Sequence, residues 1–180
     1  MKTLVFLSFL IGFLLHNQST AQARAKSFPT PPASSNRLFY IQRSNDANTV
    51  IYDANMLSNK KLDPTKPVQV YWIRYAEKGQ REDLSSMQWR MAYGYKHSQT
   101  SNQANDFDIC LNAFRKRSIK IVSQQGKPVA LATINGRNAC LQKIFVQLAP
   151  QSGFIPRVQY IEMFGVDPEH GQSVYERIIL

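Results

Sequence analysis

Apolar and polar residues alternate along most of this chain. RLFYIQRS (37–44), TVIYDANM (49–56) and VQVYWIRY (68–75) carry β-branched and aromatic residues at period two. That is the spacing of a strand whose successive side chains leave on opposite faces. The turn-rich SNDAN makes the first two a hairpin. The pattern returns in FDICLNAF (107–114), SIKIVS (118–123), PVALATI (128–134), CLQKIFVQLA (140–149), RVQYIEMFGV (157–166) and SVYERII (173–179). Asn135-Gly136 is the strongest hairpin signal, since both residues tolerate positive φ. One stretch departs from period two. After the turn at Glu77-Lys78-Gly79, residues Leu84, Met87, Met91 and Tyr95 share one stripe of a 3.6-residue repeat. Glu82 and Asp83 suit a helical first turn, and Gly94 with the polar run KHSQTSNQAN ends it. The pattern predicts a mainly β fold, an antiparallel barrel or curved β-sandwich of about 8–9 strands, with one α-helix after the third strand.

Several strands are apolar on both faces. VQVYWIRY offers Val68, Val70 and Trp72 to one side and Tyr71, Ile73 and Tyr75 to the other. Either the helix or the N-terminal arm covers the outer side of the sheet, or a closed barrel holds aromatics around a ligand cavity. The helix poses the same question. Trp89 and Tyr93 lie opposite its apolar stripe, so a loop covers them or they form an exposed contact pair.

The ends of the chain divide it further. Lys2 followed by LVFLSFLIGFLL (4–15) and by Ala21-Gln22-Ala23 reads as a signal peptide over 1–23, cleaved after Ala23 or after Ala21. The apolar run falls short of the roughly 20 residues of a membrane span. An exported protein is expected, periplasmic or secreted, with no transmembrane segment in the mature chain. Residues 24–36 hold three Pro without periodicity and read as a Pro-rich flexible arm. Residues 37–180 read as a single β-rich domain. The chain carries 22 Lys+Arg against 12 Asp+Glu, a formal +10. The leader holds one Lys and no acid, so the mature chain keeps +9. Arg115-Lys116-Arg117 is the only run of three, read with Lys120 as a solvated hairpin tip. A dispersed excess of this kind argues against nucleic acid as a partner.

Candidate chemistry concentrates in one strand and the helix. Tyr71, Trp72, Arg74 and Tyr75, with Trp89 and Tyr93, are the candidate ligand-binding residues. An Arg among aromatics can hold a carboxylate or phosphate. It can equally pair with Glu77, Glu82 or Asp83, or stack on a ring. His97 and His170 lack ligand spacing, so no metal site is expected, and no cofactor or catalytic motif is present. Cys110 and Cys140 form a disulfide or stay as two buried free thiols; their spacing leaves both open.

At RLFYIQRSNDANTVIYDAN, VYWIRYAEKG, AYGY, INGR and KIFVQ the chain resembles an exported bacterial family catalogued as domain of unknown function 4833. The resemblance runs from about Arg37 to the C-terminus, and LFYIQRS and VYWIRYAEKG are its most specific parts. It implies an exported domain that stands alone and supplies no catalytic residues. The expected role is non-enzymatic binding of a small amphipathic or anionic ligand in a periplasmic β-barrel-like domain. A cell-envelope module contacting a protein or surface polymer is the alternative, and an unrecognised hydrolase a third.

Overall fold

The period-two segments form strands. In a computed structural model that describes residues 28–100, 105–124, 126–150 and 156–180, the chain holds eleven of them in one sheet. In chain order they are β1 (Arg37–Arg43), β2 (Thr49–Ala54), β3 (Val68–Arg74), β4 (Gln80–Asp83), β5 (Tyr95–Gln99), β6 (Phe107–Leu111), β7 (Phe114–Gln124), β8 (Lys127–Ile134), β9 (Arg137–Leu148), β10 (Val158–Val166) and β11 (Ser173–Ile179). All nine segments read from the sequence are strands. β4 and β5 are additional, and arise from residues read as the start and end of the helix. Asn135 and Gly136 turn the β8–β9 hairpin with φ of 49° and 75°. The leader 1–23 and residues 24–27 lie outside the described residues.

The sheet is not purely antiparallel. Its order is β4-β3-β2-β1-β9-β8-β7-β6-β5, with β10 on β9 and β11 on β10. β9 explains this order. Its first residues, Arg137–Cys140, pair with β8, and Lys143–Val146 pair with β1, in parallel. β10 follows its other edge from Cys140 to Leu148. Two wings therefore leave the same edge of one strand, β1 to β4 on one side and β8 to β5 on the other. The sheet curls between them into a half-barrel.

The inner faces of the wings meet in one core. Phe39, Val50, Tyr52, Val70 and Trp72 come from the first wing; Tyr95, Phe107, Ile109, Ile119, Ile121 and Ala132 come from the second. Each large side chain buried this way contributes about 1.5–3 kcal/mol. Phe39 stacks on Tyr52 at 4.4 Å. Trp72, which the barrel reading placed at a cavity wall, is 1% exposed and packed in this core.

Side chains fasten the wings where no strand joins them. Tyr95 of β5 donates its hydroxyl to the Val68 carbonyl of β3 at 2.7 Å and accepts the Val68 N–H at 3.0 Å. Tyr52 donates to the Tyr93 carbonyl at 2.6 Å. A separate contact ties the β8–β5 wing to the strand beyond β10: Arg117 of β7 meets Glu176 of β11 at 2.5 Å and donates to the Thr133 carbonyl. The basic run is thus no hairpin tip. Arg117 lies within β7 on the core side, because Ile119 and Ile121 face inward at the same parity. Lys120, on the other face, pairs with buried Asp106 at 3.1 Å.

The arm is seated rather than free from Phe28 onward. Phe28 meets Phe145 edge-on at 5.4 Å, the Pro29 carbonyl accepts from Gln42 at 2.8 Å, and Pro31 is buried. Gln42 and Phe145 face away from the core, so the arm covers part of the outer apolar face. This is the first of the two explanations for strands apolar on both sides.

Tyr95→Phe should lower stability by about 2–3 kcal/mol in urea denaturation, because it strands both backbone groups of Val68. Burial also pushes the Tyr95 hydroxyl up from 10.0 to about 12. A raised pKa on an acid stabilises the fold fully below pH 10.0 and is lost as pH climbs through about 12. Burial shifts Tyr52 in the same direction. Circular dichroism across that window should show an alkaline loss of stability that is smaller in Tyr95→Phe.

Candidate functional site

The helix of the sequence reading is a single turn, and it follows the fourth strand. Gln80–Asp83 continue as β4 because they pair with Tyr71–Arg74 of β3. Only Ser86–Gln88 are α-helical, and Trp89–Tyr93 form a π-turn closed by the Gly94 N–H on the Trp89 carbonyl at 2.9 Å. Ser85 and Gln88 build a capping box. The Gln88 side-chain oxygen also accepts the Trp72 indole N–H at 3.3 Å, which ties the turn to the core.

The widened turn reverses the expected face. Met87 and Met91 are 65% and 64% exposed, while Trp89 and Tyr93 pack on the core. A π-turn spends one more residue per turn than an α-helix, so a stripe drawn at period 3.6 points the wrong way. Trp89 leans on Tyr95 at 5.4 Å, and Tyr93 meets Trp72 edge-on at 5.0 Å. The aromatic pair is therefore covered on one side and open on the other.

The six candidate residues separate into three places. Trp72, Arg74 and Tyr93 gather at one end of the core with Arg43. The Arg43 guanidinium lies 5.0 Å from the Trp72 ring centre and 5.7 Å from Tyr93, and that of Arg74 lies 5.6 Å from Trp72. Each cation is taken by acids of its own chain. Arg43 meets Asp46 at 2.7 Å; Arg74 meets Glu77 at 2.6 Å and Glu82 at 3.2 Å. Buried Asn48 braces this rim, with its side-chain oxygen accepting the Ala76 N–H and its own N–H donating to Asp46. Burial raises the Tyr93 pKa and Arg43 opposes the rise. Arg74 thus stacks on Trp72 and pairs with two acids, the structural role weighed for it from sequence.

Tyr71 and Tyr75 lie on the opposite face. Tyr71 donates to Asp53 at 2.7 Å, Arg37 donates to the other Asp53 oxygen at 2.6 Å, and Arg81 lies flat over the Tyr71 ring at 3.7 Å. Burial and the Asp53 carboxylate both push the Tyr71 pKa up. The Tyr75 hydroxyl is shut from water without a hydrogen-bond partner, and burial raises its pKa.

Trp89 alone of the six borders a cleft. Thr65 and Lys66 of the β2–β3 loop form one wall, and Trp89, Tyr95 and His97 the other, around about 360 Å³. Leu62 N–H on the Asn105 side chain and the Pro64 carbonyl near His97 Nε2 (3.3 Å) hold that loop in place. His97 sits 5.9 Å from Tyr95 and 6.1 Å from Phe107, so the cleft floor is aromatic. Sequence reasoning found no metal-ligand spacing at His97 and did not single out Thr65, Lys66 or Tyr95 as site residues. Nothing local marks them, because a loop contact some 30 residues away assembles the wall. A second cleft of about 450 Å³ runs between Ser44, Gln147–Pro150, Pro156 and Gln159, and no charged side chain lines it.

The cysteines are free thiols. Cys110 lies in β6 and Cys140 in β9, with β7 and β8 between them. Three strand spacings place them roughly 14 Å apart. A disulfide requires Cα atoms within about 7 Å. The Cys110–Cys140 bridge therefore does not form within this fold, and burial raises the Cys140 pKa.

A family model matches residues 39–177, nearly the whole strand array from β1 to β11. The chain belongs to the family described as Domain of unknown function (DUF4833). The match starts within β1 and stops within β11, so the DUF4833 unit is the half-barrel itself. No curated protein and no solved structure matches the chain significantly. The geometry of this DUF4833 domain is thus the ground for its functional reading.

Two outcomes follow. Gly94→Ala should cost about 2–4 kcal/mol in thermal denaturation. A Cβ there would lie 2.3 Å from the Trp89 carbonyl and 2.8 Å from the Asn112 amide. Thiol titration of denatured protein without reductant should find both cysteines reactive, and reductant should leave the melting temperature unchanged.

Proposed function

We propose that this DUF4833 domain is an exported, non-enzymatic binding protein that takes a small amphipathic anion at its surface, in the cleft between the β2–β3 loop and β5. The carrying observation is the cleft wall. Trp89 and Tyr95 offer ring surface beside one cation, Lys66, and one imidazole, His97. Aromatic walls with few polar groups orient ligands of mixed character. Among the described residues Lys66 forms no ion pair, and though the Asp63 carboxylate feels its charge, the ammonium can still meet a carboxylate, sulfonate or phosphate. Export is part of the proposal and rests on the leader and arm composition. The filled core moves the proposed ligand from a barrel interior to this surface cleft.

Catalysis gains no comparable support. His97 Nε2 faces the Pro64 carbonyl, which offers no proton to move. His170 meets Asp167 at 3.2 Å in an exposed turn between β10 and β11, outside both clefts. An envelope-contact role draws on a different observation, the exposed Met87–Met91 pair beside the cleft.

Two tryptophans make the reading measurable. Trp72 is sealed in the core, so a cleft ligand changes the emission of Trp89. Titration with an aromatic sulfonate probe should quench saturably. Trp89→Leu should abolish the response, and Lys66→Ala should weaken binding about tenfold, roughly 1.4 kcal/mol. Unchanged emission and melting temperature across the titration would rule out the cleft as an anion site.

A further inference from the structure

Among the described residues the sheet leaves three strand edges unpaired: β4, β5 and β11. Open edges present unpaired N–H and C=O groups, and proteins guard them with short length and charge. β4 is guarded. It has four residues, Gln80-Arg81-Glu82-Asp83, all exposed. β5 has five residues, and Lys96, His97, Ser98 and Gln99 are exposed. β11 is guarded less: its charges, Glu176 and Arg177, are engaged by Arg117 and Glu162 of its own chain. It is seven residues long, pairs with β10 without a register shift, and holds neither Lys nor Pro. Tyr175, Ile179 and the following Leu180 are 45%, 72% and 57% exposed.

Hydrogen-bond parity shows which groups β11 offers. The Asp167 N–H bonds to the Gln172 carbonyl, and the Leu180 N–H to the Gln159 carbonyl. In an antiparallel ladder, alternate residues bond to the same neighbour. Even-numbered residues of β11 therefore bond to β10, and Ser173, Tyr175, Arg177 and Ile179 turn their backbone groups outward. The side chains of these odd residues share the outer face. Tyr175 and Arg177 both bond to Glu162 at 2.7 Å, Arg177 lies 4.4 Å over the Tyr160 ring, and Tyr175 lies 5.2 Å from Phe164.

We propose that β11 is an interface at which two copies of this chain pair, edge to edge and antiparallel. The complementary register sets Tyr175 of each copy opposite Arg177 of the other, about a twofold axis through Glu176. It gives two cross-strand cation–aromatic pairs, and every outward odd residue gains a hydrogen-bonded partner. The register also sets Glu176 opposite its own equivalent on the core face. That carboxylate is already held by Arg117 at 2.5 Å and by the Asn135 N–H at 2.8 Å, which spreads its charge into its own copy. The twofold pairing buries the longest open edge among the described residues and continues the sheet across both copies.

Sedimentation of the purified protein over a concentration series, with hydrogen exchange of the β11 amides, tests this. A concentration-dependent dimer is expected. In it the amides of Tyr175, Arg177 and Ile179 exchange slowly; in dilute monomer they exchange fast while the even-numbered amides stay protected. Ile179→Lys should weaken the dimer at least about tenfold by placing an unmatched charge on the edge. Tyr175→Pro should do the same by removing one outward N–H while leaving the backbone bonds to β10 intact. Ile179→Lys should keep the monomer's melting temperature; Tyr175→Pro also loses the bond to Glu162 and the contact with Phe164, and if it does not fold the lysine variant decides. A monomer at every concentration overturns the proposal. So does a dimer with fast-exchanging odd amides, or one that survives Ile179→Lys.

Discussion

The Tyr95 hydroxyl stands where a strand would. At Val68 the edge of β3 has run past the reach of four-residue β4, and its N–H and C=O face the interior of the fold. Tyr95 satisfies both at once from the opposite wing. An unpaired buried backbone group costs about 1–3 kcal/mol, so this one side chain removes a penalty that would otherwise keep the wings apart. The remaining contacts between the wings assume that closure. Trp89 rests on the Tyr95 ring, His97 follows two residues on, and the cleft wall is built from all three.

The need for such a latch comes from β9. A strand of twelve residues serves β8 with its first part and β1 with its later part on one edge, so the wings diverge from a shared root. Divergence creates the volume that the core fills, and it leaves the far ends of the wings without hydrogen bonds between them. The Tyr95–Val68 bonds span those ends, and a second contact, Arg117–Glu176, ties the β8–β5 wing to β11 beyond β10. The second is an ion pair half-shielded from solvent, where screening is weaker than at a free surface. Function, in this reading, sits beside the first latch, and self-association beside the second.

The strands were legible because period two survives any tertiary context that buries at least one face. Nine segments read at that period are nine strands, and the Asn135-Gly136 turn followed from its own dihedral needs. The helix was misplaced for an equally local reason. Glu82 and Asp83 suit a helix N-terminus, yet pairing with Tyr71 and Trp72 makes them an edge strand, and the π-turn shifts the stripe so that Met87 and Met91 face water. Arg74 had two uses weighed for it, a ligand or acids of its own chain, and its place in the fold bears on which acids those are. Its aromatic neighbours were adjacent in sequence, whereas the claims of Glu77 and Glu82 on its charge depend on the turn and on β4.

The sequence by itself determined the β class, the nearly complete strand list, the family resemblance and the identity of the aromatic cluster, because each depends on residue type and short spacing. Tertiary structure alone decided the rest. The parallel seam between β1 and β9 joins residues about a hundred positions apart, and no local pattern encodes that choice. The tertiary structure assembled the cleft from residues roughly 20–30 positions apart, since Lys66 meets Trp89 and His97 only after the wings close. It also settled the cysteines, whose strands share a sheet yet stand two strands apart, too far for sulfur to bridge.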